Sequence, residues 1–499
     1  MFKGKFVFPV FASFLILTAL ASVSAAKTIY VPDDYEKIQW AVDNASAGDT
    51  IIVRDGTYTE NINVNKPHLT IQSENGADST IVHAANPDDY VFEVTADYVN
   101  ISGFSMKGSN GISLYYTDHC NIFNNLCEHE NRGINLEHSS DSTILNNTIS
   151  GIYESYNNGI VLMNSSNNVI SDNRIYENGR DGIYLRESKN NVISNNIIYK
   201  NGYDGIDLDL NSSNNTILNN TLINNSVGIR MMHHSDNCMV LNNNFNNNKN
   251  GVLIEESFNI TINNNNLNNS GVFLTHVNSI VVSNNSIGER GINLYYSNNT
   301  TIENNKVLCG CRGYEGIYLW ASNNTMILNN YISSCIEYAI YLTSSSNNIV
   351  KNNTCSNSKA GIFMDYTNGN VVMKNTLYNN EYGILLWSSN YDNLIFLNNF
   401  INNTCNAHSF YSTNFWNSTE PITYTYKGKT FTNYMGNYWD DYTGSDANGD
   451  GIGDTLYSID GDKDYYPLME RFENYFGGVE NKPPIADFTY LPLLPVVDQ

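Results

Sequence analysis

Short apolar pairs recur along most of the chain, each fenced by Asn, Ser or Gly. Gly182-Ile-Tyr-Leu185 is one instance, followed in the same unit by Val192-Ile193 and Ile198. None is long enough for a helix, and the fencing residues break helices and favour turns. Alternation in Gly-Ile-x-Leu puts Ile and Leu on one face and x on the other. The unit reads roughly Gly-Ile-x-Leu-x-x-Ser-x-Asn-Asn-x-Ile-x-x-Asn-x-Ile-x-x-Asn and opens thirteen times from Gly111 to Gly383, with Ala339 once in place of Gly. Units of this length stack, because one alone cannot bury its apolar face. Three short strands per unit with no helix between them predict an all-β solenoid, one coil of parallel β-helix per unit. A leucine-rich repeat, the rival at this length, needs a Leu skeleton and a helical segment that these units lack.

One polar position is as regular as the apolar ones. Asn125, Asn147, Asn173, Asn196 and their counterparts up to Asn398 stand two residues before the last inward apolar residue. Asn tolerates the left-handed region, and its amide can donate and accept along a stack. A column of Asn at a coil bend would satisfy backbone groups that the turn leaves unpaired.

The ends depart from the pattern. Residues 27–110 read as an entry segment of irregular first coils. Within it, Asp34 to Ser46 carries Ile38, Ala41, Val42 and Ala45 at helical spacing. This predicts a short amphipathic helix plugging the open end, since a solenoid end exposes core and strand edges. The repeats extend over 111–409. From 410 to 475 the spacing stops and aromatics crowd in, which predicts an irregular aromatic C-terminal cap. Met1 to Ala26 has Lys3 and Lys5, an apolar run and Ser24-Ala25-Ala26, the pattern of a secretory signal. No other stretch reads as a membrane span. The expectation is export, to the periplasm, the cell surface or the medium.

Ile38-Gln-Trp-Ala-Val, Gly48-Asp-Thr-Ile-Ile-Val and Gly56-Thr-Tyr, followed by Gly-Ile/Asn-Asn coils, resemble the secreted pectate-lyase-like β-helix superfamily. Within it the chain looks most like the periplasmic copper-binding NosD family, which shares carbohydrate-binding and sugar-hydrolysis (CASH) repeats with cell-surface proteins. The resemblance covers about residues 27–470. It implies a right-handed helix, a hand that the rule for parallel crossovers also favours. It implies polysaccharide binding or processing, or alternatively copper delivery to a metalloenzyme; a structural surface protein is the third reading. The tail Asn481-Lys-Pro-Pro-Ile-Ala-Asp-Phe-Thr-Tyr490, within 476–499, resembles the first strand of a polycystic-kidney-disease-type sandwich. Too few residues follow for a sandwich of about 100, so a truncated domain start is expected.

Charge narrows the partners. The formal net charge is −24, and loss of Lys3 and Lys5 with the signal would make it −26. Such a surface disfavours nucleic acid and suits extracellular life or cation binding. Sequons such as Asn164-Ser-Ser, Asn298-Asn-Thr and Asn417-Ser-Thr follow from Asn, Ser and Thr richness and permit N-glycosylation.

Candidate chemistry falls on the outward positions of the Gly-Ile-x-Leu strand. Tyr184, Tyr295, Tyr318, Trp320, Tyr341 and Trp387 are the candidate sugar platform, because flat rings stack on sugar faces. Sheet propensity or a protein interface is the plainer reading. Asp207 and Asp209 stand two apart on one strand, so their side chains point the same way about 7 Å apart. That lies inside the roughly 6.5–9.5 Å window of an inverting glycosidase pair. Arg186 and Arg230 lie in adjoining coils, with Asp204, Glu187, Glu255 and Glu256. A lyase or epimerase would use an Arg or His base instead, and a solvated polar ridge is the plainer alternative. Met232, His233 and His234 are the copper candidates, since thioether and imidazole both suit copper. Asp446, Asn448, Asp450, the Ile452 carbonyl and Asp454 follow the ligand spacing of an EF-hand loop, although Tyr457 stands where the bidentate Glu belongs. A structural Ca²⁺ is the expectation there. Among the cysteines, Cys309 or Cys311 is expected to bridge to Cys335 in the next coil, and Cys127 and Cys355 to be core thiols.

Overall fold

The computed structural model describes residues 26–151, 157–310 and 314–476. The signal-like segment, Cys311 and the sandwich-like tail lie outside the described residues. The chain winds into a right-handed parallel β-helix with three faces. The first face holds the Gly-Ile-x-Leu strands and runs from Ile62–Val64 to Cys405–Phe410. The second begins at Thr28–Val31 and ends at Thr413–Phe415, an 18-stranded sheet. The third runs from Gly56–Thr59 to Tyr438–Trp439. Coils are therefore regular well before Gly111, contrary to the expectation of irregular first coils. In Ser105–Tyr115 and Leu126–Glu137 the third and first faces fuse into single long strands, with a shift in register between His129 and Arg132.

Register holds like residues above like residues. Ile183 pairs with Ile206 and Ile206 with Ile229, while Leu185 pairs with Leu208. These Ile and Leu side chains are fully buried, so each coil seals its neighbour's apolar face. Gly opens the unit for a steric reason. A Cβ on Gly205 would stand 2.7 Å from the Gly228 carbonyl oxygen and 2.7 Å from Leu222.

The Asn column is a ladder, with one correction to its expected geometry. Asn196 donates its backbone N–H and its Nδ2 to Asn220 Oδ1, at 2.9 and 3.0 Å, and donates Nδ2 again to the Ile170 carbonyl at 2.9 Å. The pattern repeats from Asn125 to Asn398 and extends to Asn437. The ladder Asn is not the left-handed residue. That conformation belongs to the residue before it, as at Asn195 (φ 57°) and Asn219 (φ 56°). Two adjacent residues thus divide the work, one making the bend and the other binding across coils. Shorter ladders, Asn168–Asn191–Asn215 and Asn178–Asn201–Asn225–Asn248, occupy the other corners.

Both ends are closed. The helix spans Ile38–Asn44, shorter than the periodicity suggests, and buries Ile38, Ala41 and Val42. Its first N–H groups, on Ile38 and Gln39, donate to the Glu60 carboxylate at 3.0 Å each, which satisfies donors that the helix start leaves free. The C-terminal cap is more ordered than expected. It contains two antiparallel hairpins, Ile422–Tyr426 with Lys429–Asn433 and Tyr457–Ile459 with Asp462–Asp464. Asp464 ends the Asn ladder. Fully buried, it accepts from the Asn437 N–H at 2.8 Å, Trp439 Nε1 at 2.9 Å and the Tyr466 N–H at 3.0 Å. Burial pushes its carboxyl up to about 6, with these donors pulling the other way. Cys309 and Cys335 form the expected inter-coil disulfide, with Cα atoms 4.8 Å apart. Cys127 and Cys355 are buried thiols, and burial pushes Cys127 up to about 12.

Candidate functional site

The outward residues of the first face divide into two regions. Pairing places Tyr318, Tyr341, Phe363, Leu385 and His408 in one outward row, and Tyr295, Trp320, Thr343, Asp365, Trp387 and Phe410 in the next. The first row is a packed floor. Tyr318 and Tyr341 lie 4.9 Å apart, Tyr341 and Phe363 4.7 Å, and Tyr338 lies 4.3 Å from Phe363. Partial burial raises the Tyr318 and Tyr341 phenols, so both stay protonated donors at neutral pH. The second row stands clear of this floor. Trp320 is 42% exposed and Trp387 47%. Tyr295 meets Tyr318 and Trp320 edge-on, at 5.6 and 6.0 Å. Trp387 and Phe410 lie 5.0 Å apart. The arrangement is a shallow trough with an aromatic floor and two exposed indoles about three coil steps apart. Tyr184, the remaining platform candidate, sits far along the helix in the second region. Tyr338, His408 and Phe410 were missed by sequence reasoning. The last two lie one coil beyond the final counted unit, and Ala407 in the Ile slot hides that coil.

Between the regions lies a cleft of about 890 Å³ lined by Lys249, Phe273, Glu289, Arg290, Asn293 and Glu315 among others. It continues the trough toward the N-terminal coils.

The second region is an acidic cluster. Asp181, Asp204 and Asp207 are buried, and one oxygen of each lies within 4.8 Å of the others. Arg230 Nε stands 3.0 Å from Asp204, and Arg180 Nε 3.3 Å from Asp181. Asp207 Oδ1 is buried without a hydrogen-bond donor, and Asp181 Oδ2 has the Arg180 ion-pair contact without hydrogen-bond geometry. Desolvation and mutual repulsion push Asp204 up to about 7 and Asp207 up to about 8, against the pull of Arg230. Asp207 therefore holds a proton at neutral pH, or shares the cluster with a cation. Asp181 was missed by sequence reasoning, although Asp-Gly-Ile opens two successive coils, at Asp181 and at Asp204.

Asp209 faces a different set of groups. It accepts from Tyr184 Oη at 3.4 Å and meets His233 Nδ1 at 2.7 Å, a contact that raises the His233 ring above its ordinary value. Asp207 and Asp209 thus share a strand and not an environment: Asp207 is 5% exposed and beyond direct reach of a bulky substrate, whereas Asp209 is partly open. Arg186 is 3.9 Å from Glu187 and is not among the cluster's ion pairs. His233 and His234 take successive left-handed positions and turn to separate partners, His233 to Asp209 and His234 to Phe258 at 5.5 Å.

The acidic loop of the C-terminal cap is closed by its own hydrogen bonds. Asp446 accepts from the Asp450 and Gly451 N–H groups at 3.1 and 2.9 Å, Asp450 from the Ile452 N–H at 2.8 Å, and Asp454 from the Ala447 N–H at 2.8 Å. Asn448 Oδ1 also accepts from the Asp450 N–H, at 2.9 Å.

Among the described residues no helix is long and apolar enough to cross a membrane. Residues 205–306 and 288–444 match the model of a family described as periplasmic copper-binding protein (NosD), and residues 79–245 match that of a right handed beta helix region. A cell surface glycoprotein of Methanothermus fervidus is 38% identical over 112 residues. That segment is 22% of this chain and only 18% of the relative's length. Similar solved structures include pectate lyase Pel9A, at 17% identity and TM-score 0.36 over 49% of this chain and 79% of that one. They also include the DFA-IIIase of Arthrobacter chlorophenolicus A6, at 12% identity and TM-score 0.39 over 60% and 94%. The A-module of a mannuronan C-5 epimerase from Azotobacter vinelandii matches at 14% identity and TM-score 0.31 over 76% and 92%.

Proposed function

We propose that this chain, which belongs to the NosD-like family of right-handed β-helix proteins, binds polysaccharide at the cell surface along the aromatic trough of its first face. The observation that carries the reading is the pair of exposed indoles, Trp320 and Trp387, above the floor of Tyr318, Tyr341 and Phe363. A linear glycan laid along the helix axis would meet a ring or hydroxyl at nearly every coil, because coil spacing of about 4.8 Å is close to the length of a sugar. The NosD description and the name of the Methanothermus relative agree with export to the periplasm or surface. Replacing Trp320 and Trp387 together by Ala is expected to abolish retention on a polysaccharide column while the fold survives, since neither ring belongs to the buried core. Full retention by the double variant would remove the trough from the site. Chemistry on a bound glycan is proposed for Asp209 with His233, the partly open acid and its partner, with the buried Asp207 carboxyl two residues before Asp209 on the same strand. An inactive wild type across a broad panel of polysaccharides leaves binding alone.

Metals are a second reading. Copper rests on the family description, with Met232, His233 and His234 as the sequence candidates; His233 and His234 turn to separate partners, Asp209 and Phe258, and would have to leave them to share a metal. Calcium is favoured by the spacing of Asp446, Asn448, Asp450, Ile452 and Asp454, with Asp450 largely buried. Metal analysis of the purified chain, followed by melting with Ca²⁺ and with chelator, tests both. Cap-bound calcium is expected to raise the melting point and protect the Trp439 region from protease. Superimposable melting curves would dismiss it, and absence of copper after loading would dismiss the other.

A further inference from the structure

We propose that the chain is N-glycosylated at its corner asparagines, and that the repeat keeps the acceptor sites off the first-face strands and, Asn100 and Asn268 apart, at the corners of the coils. The inference rests on the exported location above and not on polysaccharide binding. Two residues after a ladder Asn the chain always turns a side chain inward: Ile149 after Asn147, Leu222 after Asn220, Cys355 after Asn353, all fully buried. A Ser or Thr there would bury a hydroxyl in the core, at a cost of about 1–3 kcal/mol. A ladder Asn therefore cannot head an Asn-X-Ser/Thr triplet.

The residue before the ladder Asn has the opposite setting. Two residues after it comes the first outward position of the third face, where Thr is favoured by sheet propensity. Asn146-Asn-Thr148, Asn219-Asn-Thr221, Asn284-Asn-Ser286 and Asn352-Asn-Thr354 are the result. All four leading Asn residues are left-handed, with φ between 52° and 56°, and lie between strands. The other corners repeat the arrangement at Asn224-Asn-Ser226 and Asn402-Asn-Thr404. Among the described residues, every sequon Asn from Asn44 to Asn417 is exposed or half-exposed, although the chain buries many other Asn residues. None lies in a strand of the first face. The glycans would project from the corners and leave the strand face of the aromatic trough bare.

Where a corner acceptor amide is bound, as at Asn146 and Asn402, its partner is an exposed Asn. Asn146 Nδ2 donates to the exposed Asn124 at 2.7 Å, a bond that water can replace. Asn100 is the poorest acceptor, since it lies within a strand of the second face, donates to Thr70 at 3.1 Å and accepts from Asn121 at 2.8 Å. In the transfer, Asn Nδ2 forms a bond to the anomeric carbon of a polyprenyl-phosphate-linked oligosaccharide. The bond from that carbon to the phosphate oxygen breaks, the lipid phosphate leaves, and the amide gives up one proton.

The test is peptide mapping by mass spectrometry of the full chain, recovered folded from the secretory pathway of a cell that has an oligosaccharyltransferase. Glycopeptides are expected at Asn146, Asn219, Asn284 and Asn352, with no glycan on an Asn of the first-face strands. Thr221→Val should remove the Asn219 glycopeptide alone. A folded, secreted chain with bare corner asparagines, or with its glycan chiefly at Asn100, would overturn the proposal. The same preparation run on the polysaccharide column keeps the readings apart: a glycosylated chain that is not retained overturns binding only, and a bare chain that is retained overturns glycosylation only.

Discussion

Asn220→Ala is expected to destabilise the chain more than any single substitution on its surface. Asn220 is fully buried in the middle of the ladder. Its Oδ1 accepts from the Asn196 N–H at 2.9 Å and from Asn196 Nδ2 at 3.0 Å. Its own Nδ2 donates to the Ile193 carbonyl at 2.8 Å and to Asn243 Oδ1 at 3.1 Å. Alanine keeps the backbone and strips these partners at once at a fully buried position. Each buried group left unpaired costs about 1–3 kcal/mol, so the loss is on the order of 4 kcal/mol. Because coils contact only their neighbours, the weakness stays local. Partial proteolysis is expected to open between the coils of Asn196 and Asn243 before either end frays. Asn219→Gly, one residue earlier, is the control. It keeps the left-handed bend, removes only a surface amide, and is expected to shift the urea midpoint little. Equal midpoints for wild type and Asn220→Ala would mean that the ladder contributes nothing.

The acidic cluster sets the second expectation, a loss of stability as pH rises. Burial holds folded Asp204 and Asp207 at about 7 and about 8, against 3.8 for an unburied Asp. Between about pH 4 and pH 8 the folded chain thus holds protons that the unfolded chain has released. Unfolding gives them up, so each rise in pH favours the unfolded state. One proton is worth roughly 1.4 kcal/mol per pH unit over that window. Asp207→Asn cannot ionise and keeps the shape. Its stability is expected to match wild type near pH 4, to pull ahead from there upward, and to exceed it by about 5 kcal/mol near pH 8, with a slope shallower by one proton. Asp204→Asn should do worse, because it strands Arg230, whose guanidinium lies 3.0 Å away. Urea midpoints at pH 5, 6.5 and 8 read the effect, and parallel pH profiles for wild type and Asp207→Asn would refute it.

The repeat by itself determined the fold, the number of strands per coil and the outward rows, because periods of two within strands and about 23 between coils admit one stacking. It also narrowed the bridge to Cys335 to two candidates, Cys309 or Cys311, since adjacent coils lie within bridging distance, and the fold selects Cys309. It determined the ladder Asn but not the left-handed role, because most of these corners carry two adjacent Asn residues that only the backbone tells apart. Tertiary structure decided the rest. Burial separates Asp207 from Asp209, two outward residues on one strand that sequence periodicity treats as equals. Asp181 joined the cluster through a coil contact from the residue before Gly182, a position outside the alternating pattern. The C-terminal cap was legible only as aromatic crowding, because Asp464 meets Asn437 and Trp439 across more than twenty residues with no periodic signal between them. Periodicity fixes what neighbouring coils repeat; desolvation and end-capping depend on which unlike residues meet, and only the folded chain brings those together.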